Sequence, residues 1–191
     1  AGLKYAYVDP IIRSLLVIVA SAIYLEMQQP AIPVKVHNEL GLGEFGYGVI
    51  LGLNGVGALI GSVFLFALSK KLRKGYLLIF ALLMFNASIG LFAVAPNVVV
   101  AGISMVFLGL AFSCWMISVP VLLQTMASEE MRGRVMSLYF MVVLTHQLGW
   151  ILGGVGIETI GITPTLFVGI AGGLIIAGSA IILTPAVRKA H

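Results

Sequence analysis

The chain has 191 residues, of which 60% are hydrophobic and only 9% are charged, against about 25% in ordinary soluble domains. Its mean hydropathy is +1.12 and its formal net charge is +4. So few charges exclude a soluble domain, and the scattered basic residues exclude a nucleic-acid-binding face. The single cysteine, Cys114, excludes an internal disulfide.

Six apolar runs predict an all-α membrane protein, because each is long enough for the roughly 20 residues that cross a bilayer. Pro10 favours the start of the first helix, and Pro120 predicts a kink in the fourth. Four charges in the six residues Glu129–Arg134 stop abruptly before Val135, which predicts a membrane surface there. The predicted transmembrane helices form one domain, 1–191, with spans at about 11–36, 45–68, 76–95, 98–126, 135–159 and 164–183.

The basic residues predict the orientation of these spans. Six spans place both ends of the segment on one side of the membrane, and Lys35 alone falls on the other side. By the positive-inside rule, both ends are predicted to be cytoplasmic. Ten of the eleven basic residues lie on that side: Lys4, Arg13, Lys70, Lys71, Arg73, Lys74, Arg132, Arg134, Arg188 and Lys189.

Glycine is dense in the second run, at NGVGALIG, and in the fifth, at QLGWILGGVG. These runs hold equivalent places in two successive groups of three helices, which cross the membrane in opposite directions. The pattern predicts two inverted three-helix repeats. Chance enrichment of glycine in membrane helices is the alternative.

Three stretches carry a resemblance to a known family. The loop EEMRGRVMSLY is followed by a glycine-rich helix. It resembles the loop before the penultimate helix of major facilitator superfamily (MFS) transporters. GLKYAYVDPIIRSLL is similar to the entry into their seventh helix, and SKKLRKG occupies the place of the basic loop between helices eight and nine. The SKKLRKG loop lacks the acidic residue of the fuller motif, which argues against a charge-relay gate there. The resemblance covers nearly the whole chain. Within the superfamily, the chain resembles the branch of bacterial drug, macrolide and siderophore exporters, which includes the enterobactin exporter.

The resemblance implies that the chain is the C-terminal six-helix half of a twelve-helix transporter. The first and fourth spans would then face a central cavity, the second and fifth the other half, and the third and sixth the lipid. The implied function is proton-coupled secondary active efflux of a hydrophobic or amphiphilic small molecule across the bacterial inner membrane. The implied partners are membrane lipid, the N-terminal half, the substrate and protons.

Two alternatives stand beside this function. They are a lysophospholipid transporter of the same fold and a non-transporting scaffold or receptor. An enzyme is not expected, since the sequence contains no G-x-S-x-G, H-E-x-x-H or paired aspartates. We therefore predict no catalytic residue, no cofactor and no metal site.

Glu26 is the one acidic residue well inside a predicted span. A carboxylate in a low-dielectric cavity can exchange a proton as solvent access switches, so Glu26 is a candidate for proton coupling or substrate binding. Gln29 and Pro30 share its predicted helix face. The alternatives are that Glu26 reaches the outer headgroups or that the helix breaks near Pro30.

His146 lies in the middle of the fifth span and is the second candidate for proton coupling. The alternative role for His146 is to form a single hydrogen bond to a neighbouring helix. Gln147 is interpreted in the same way. On the fourth span, Trp115 and Ser118 precede Pro120, and Trp115 can stack on a flat substrate if that helix faces the cavity. A tryptophan in the core or facing lipid is the alternative. The candidates for lining the cavity are Gln29, Trp115, Ser118 and Gln147.

Two further groups of residues are expected to serve packing and gating. Small residues on one helix face allow close helix contact, and a polar residue there can bond across the interface. The packing group comprises Asn54, Gly57, Gly61, Gly149 and Gly153. The charged loops either set topology or form switching salt bridges with the other half, and their residues are Lys70, Lys71, Arg73, Lys74, Glu129, Glu130, Arg132 and Arg134.

The orientation can be tested by labelling. Single cysteines introduced at Lys71 and at Arg188, in a background without Cys114, are expected to react with a membrane-impermeant maleimide only from the cytoplasmic side. The reason is that both positions belong to the basic loops that the positive-inside rule retains there. Intact cells and inverted vesicles provide the two sides. Labelling of either position in intact cells would reverse the predicted orientation.

Overall fold

A computed structural model describes residues 7–68 and 74–183 of the chain, and these residues contain no β-strand. The basic residues Lys4, Lys70, Lys71, Arg73, Arg188 and Lys189 lie outside the described residues. Short 3-10 turns occupy Glu26–Gln28 and Glu129–Met131. The α-helices are α1 (Pro10–Leu25), α2 (Ala31–Asn38), α3 (Glu44–Leu68), α4 (Lys74–Ala93), α5 (Val98–Met126), α6 (Arg132–Leu144), α7 (Gln147–Ile160) and α8 (Ile162–Leu183).

These helices form six stretches that are long and apolar enough to cross a membrane. The first span consists of α1, the first 3-10 turn and α2, and the fifth consists of the second 3-10 turn, α6 and α7. Helices α3, α4, α5 and α8 are the second, third, fourth and sixth spans. The predicted all-α fold with six membrane spans is confirmed. The stretches are Pro10–Asn38, Glu44–Phe66, Gly75–Ala93, Val98–Met126, Glu129–Ile160 and Ile162–Leu183.

The starts of two helices follow from their capping residues. Asp9 Oδ1 accepts hydrogen bonds from the backbone N–H groups of Ile11 and Ile12, at 2.9 and 3.0 Å, while Pro10 occupies the first turn of α1. Asn97 Oδ1 accepts from Val100 N at 3.0 Å and so begins α5. Both side chains satisfy N–H groups that have no partner inside the helix. The helix α5 continues through Pro120, where the sequence predicts a kink.

The second and fourth spans are held together by direct backbone contact. A Cβ atom on Gly57 would lie 1.9 Å from the carbonyl oxygen of Val106, and one on Gly109 would lie 1.9 Å from that of Asn54. Asn54 Nδ2 also donates to Met105 O at 3.3 Å. Gly57 lies against Val106 and Gly61 lies against Leu110, so residue numbers rise together along the two helices and α3 and α5 are parallel.

The first and fifth spans meet in the same manner. Cβ atoms on Gly149 and Gly153 would lie 2.1 and 2.3 Å from the carbonyl oxygens of Ile23 and Met27. Here too the numbers rise together, so the spans are parallel. The chain therefore contains two pairs of parallel spans that meet at glycines. The fifth span packs on the first span as the second span packs on the fourth.

Two further contacts repeat this symmetry. The third span, α4, packs along the fourth, and the sixth, α8, packs along the first. If spans one, two and three are exchanged with spans four, five and six, the contact between the third and fourth spans becomes the contact between the sixth and first spans. This is the arrangement that two inverted three-helix repeats require.

The spans differ in how far the chain itself covers them. The first, third and fourth spans are 50–56% buried, whereas the second and fifth are only 22% buried and the sixth 28%. Each of the poorly covered spans carries a row of exposed aliphatic and aromatic side chains, such as Leu59 and Phe66 on α3 and Ile151 and Val155 on α7. The third span is well covered, since it packs on both α5 and α8.

Lys35 is the only buried lysine or arginine among the side chains that the structure describes, with 2% of its surface exposed. Its ammonium group pairs with Glu39 of the same segment and donates to the carbonyl oxygen of Ala93, at 3.1 Å, where α4 ends. Thr163 Oγ1 donates to the same carbonyl at 3.1 Å. A cation at a helix C-terminus interacts favourably with the helix dipole, so this contact joins the first, third and sixth spans.

The glycine contacts can be tested with neighbouring glycines as controls. We expect Gly57→Ala to lower the thermal midpoint of the protein, because its methyl group would overlap the backbone of α5. Gly55→Ala, two residues away on α3, meets nothing within 4 Å and is expected to leave the midpoint unchanged. Gly153→Leu and Gly154→Leu form the equivalent pair on α7. Equal midpoints within either pair would show that the two helix backbones do not touch at that glycine.

Candidate functional site

The first span breaks at Glu26, and its prolines explain the break. Pro30 and Pro33 have no N–H group, so neither can continue the α-helical hydrogen bonds to the residues four positions before them, Glu26 and Gln29. The carbonyl of Glu26 instead accepts from Gln29 N at 3.1 Å, within a 3-10 turn. Glu26 therefore lies on a break in the span, which is one of the alternatives that the sequence leaves open.

The fifth span breaks at Thr145 and His146, without a proline. Their N–H groups donate to Val142 O and Val143 O, each at 3.0 Å and each three residues back. The Thr145 hydroxyl also donates to Val142 O, at 2.6 Å. A threonine hydroxyl that bonds a preceding carbonyl competes with the helical pattern, which is consistent with a break at this point.

The two broken spans lie against each other. His146 Nε2 lies 2.8 Å from the carbonyl oxygen of Val19, and because a carbonyl only accepts, this nitrogen carries a hydrogen. One helical turn further along, Trp150 Nε1 donates to Glu26 Oε2 at 2.9 Å. The close backbone approach at Gly149 brings both side chains within reach of the first span.

A small cavity of about 10 Å³ begins beside this contact, between the first, third and fourth spans. Two of its lining residues carry polar groups, the carboxylate of Glu26 and the indole of Trp115, and the other lining residues are apolar. The ring of Trp115 also lies 5.9 Å, centre to centre, from the ring of His146. The cavity is lined by Ala22, Leu25, Glu26, Leu82, Phe85, Phe112 and Trp115.

A second cavity, of about 80 Å³, lies next to the first, and Phe85 and Phe112 line both cavities. Its polar groups are three amides, those of Gln28, Gln29 and Asn54. Both volumes are well below the range of about 300–1,000 Å³ for small-molecule sites. The full lining is Gln28, Gln29, Ile32, Leu51, Asn54, Phe85, Met105, Leu108 and Phe112.

The structure brings some of the candidate residues together and leaves others apart. Glu26, Trp115 and Gln29 line the two cavities, and His146 contacts Trp115. Ser118 is buried on α5 and lines neither cavity. Gln147 is exposed at the start of α7.

The described part of the charged loops has contacts of its own. Arg132 Nε donates to Gln124 O at 3.0 Å, and its guanidinium lies 4.0 Å from Glu129. Glu129, Glu130 and Arg134 are exposed. Lys74 is the first residue of α4.

Sequence reasoning missed two residues of the site, Gln28 and Trp150. Gln28 belongs to the first break, and the spacing of Pro30 and Pro33 is the signal that marks a break there. Trp150 lies next to Gly149, so the glycine face that predicted helix contact also places this indole at the contact. Its hydrogen-bond partner, 124 positions earlier, has no signal in the sequence.

Six spans in two inverted triplets, with cavities beside breaks in the middle of the first span, are the architecture of a multi-pass membrane transporter. The whole chain, residues 1–191, matches the family model described as transmembrane secretion effector. The chain belongs to this family of the major facilitator superfamily. No curated protein matches it.

The contact between His146 and Val19 gives a prediction. His146→Phe is expected to lower the thermal midpoint by about 2–4 °C, because a buried hydrogen bond contributes about 1 kcal/mol. His146→Gln keeps a donor and is expected to recover part of the loss and to retain transport. A stable His146→Gln protein that has lost proton-driven transport would instead assign His146 to the proton path.

Proposed function

We propose that this chain is the C-terminal half of a twelve-helix exporter that moves a hydrophobic or amphiphilic small molecule outward in exchange for protons. In this proposal the substrate binds beside the first span, between this half and the other half, and Glu26 carries the coupling proton. Access to the substrate site alternates as the two halves rock against each other. The membrane is the bacterial inner membrane, with both ends of this segment in the cytoplasm.

The observation that carries the proposal is the position of Glu26. It is partly buried, it lies where the helix of the first span is broken, and it lines a cavity whose other walls are almost entirely apolar. Ionisable groups within membrane spans are costly, and they are typically retained for ion or substrate movement. A proton bound at Glu26 neutralises the carboxylate, whose charge is unfavourable in an apolar cavity.

Trp150 supports a coupling role for Glu26. It donates to the carboxylate, yet about half of its surface is exposed on a span that the chain covers poorly. In the proposed protein the other half packs against that exposed side. Movement of the other half would therefore displace the indole and change the environment of Glu26, which links the proton to the conformational cycle.

The uncovered second and fifth spans support the proposal of a missing half. They are the least buried of the six, and their exposed residues include small ones that permit close approach of another helix, such as Gly48 and Gly52 on α3. A second six-helix body that covers both spans would complete the two-body arrangement that alternating access needs.

The charged loop before the fifth span fits a cytoplasmic contact with that body. Arg132 is held by Gln124 O, which fixes the loop relative to α5, while Glu129, Glu130 and Arg134 are exposed. In the proposal these exposed charges form salt bridges with the other half in one access state and release them in the other.

The role of Glu26 is testable in proteoliposomes that contain the full-length protein. Glu26→Gln keeps an acceptor for Trp150 but cannot release a proton, so uphill transport driven by a pH gradient is expected to fall to the passive level. Substrate exchange without a gradient is expected to continue. Glu26→Asp is expected to retain part of the coupling, with a shifted dependence on pH.

Glu158→Gln is the matched control, because it makes the same change at an exposed carboxylate of the fifth span. It is expected to transport like the wild type. Uphill transport by Glu26→Gln at the wild-type rate would contradict the proposal and would direct attention to His146 or to the other half.

A further inference from the structure

An apolar groove lies between the second and third spans, away from the first span. Helices α3 and α4 both pack along α5 but make little direct contact with each other, so a crevice remains between them. The groove has a volume of about 260 Å³, which is larger than either cavity beside the first span. It is lined by Phe64 of α3 and by Tyr76, Leu77 and Phe80 of α4.

The groove is open on the side that faces away from the chain. The side chains of Tyr76 and Phe80 are 53% and 45% exposed, and the ring of Phe80 lies 6.4 Å, centre to centre, from that of Phe64. Phe64 precedes the end of α3 by four residues, and Tyr76 follows the start of α4 by two. At about 1.5 Å per residue, these side chains lie within about 10 Å of the helix ends. The groove therefore lies at the depth where acyl chains begin, beneath the lipid headgroups.

The sequence that joins the two helices is strongly basic. Residues 69–75 read SKKLRKG, which contains four cations and no acidic residue. The cations fall between the last residue of α3 and the first residue of α4, which are the helix ends nearest the groove. Basic clusters directly on the cytoplasmic side of a membrane span attract anionic lipids. These cations are Lys70, Lys71, Arg73 and Lys74.

We propose that the groove and this basic sequence bind one anionic phospholipid of the cytoplasmic leaflet. One acyl chain lies in the groove against Phe64, Leu77 and Phe80, and the phosphate of the headgroup interacts with the cations. None of the four described lining residues is charged, so the groove itself recognises only the chain. A zwitterionic lipid offers the same chain and phosphate but adds an ammonium group, which the cations repel. The proposal does not depend on the export function or on Glu26.

The headgroup is tested by native mass spectrometry of the purified full-length protein. Dioleoyl phosphatidylglycerol is expected to bind about tenfold more tightly than dioleoyl phosphatidylcholine, which has the same chains. The double variant Lys70→Gln with Lys71→Gln is expected to lower this preference about three- to tenfold. Arg188→Gln with Lys189→Gln is the matched control, because it removes two adjacent cations on the same predicted side of the membrane. It is expected to keep the preference.

The groove is tested separately, without any change of charge. Phe80→Ala removes part of the wall and is expected to weaken the binding of both lipids about two- to fivefold. Phe167→Ala is the control, since Phe167 is similarly exposed, at 47%, on α8 and does not line the groove. A phosphatidylglycerol with a photoactivatable diazirine in its acyl chain is expected to label residues 64–80 of the wild type.

Three results would overturn the proposal. Equal binding of the two lipids would show that the groove accepts any acyl chain and that the basic sequence selects no headgroup. Equal loss of the preference in the two double variants would assign it to the overall surface charge. Labelling that avoids residues 64–80 would show that another part of the full-length protein covers the groove. Loss of transport with lipid binding intact would count against the export function alone.

Discussion

The fold depends on direct contact between the backbones of parallel helices. Inside a bilayer the apolar surface of a helix gains little by leaving lipid, so helices associate through close packing of small residues. In this chain Gly57 and Gly109 provide that contact for the second and fourth spans, and Gly149 and Gly153 provide it for the fifth and first. Without the contact of the second pair, the hydrogen bonds from His146 to Val19 and from Trp150 to Glu26 would lose the geometry that they need.

The two pairs are related by symmetry, but they are used differently. The interface of α3 and α5 is formed by unbroken helices, with Asn54 bonded across it. The interface of the first and fifth spans joins two broken helices and carries the titratable groups Glu26 and His146. A break frees backbone groups and places polar side chains at a depth where a continuous apolar helix would have none. One repeat interface is therefore formed by continuous helices, and the other brings titratable side chains to breaks in its helices.

The sequence predicts the spans well and the site only in part. Charge and hydropathy report directly on what a bilayer excludes, so the α5 span is predicted at 98–126 and observed at Val98–Met126. Glu26 was found because a carboxylate in an apolar run is conspicuous. Trp150 was not, because its partner Glu26 lies 124 positions away in the sequence and no local pattern records which side of a helix meets which neighbour. No proline marks the break at Thr145. Conversely, Pro120 lies within a helix that is not broken.

The buried lysine of the first span has a consequence for synthesis of the protein in the membrane. Lys35 can pair with Glu39 as soon as the first span emerges, since the two residues are one helical turn apart. Its second partner, Ala93 O, is translated 58 residues later, and Thr163, which bonds the same carbonyl, follows later still. The C-terminal part of the first span therefore completes its packing only after the ribosome has passed Ala93 at the end of the third span.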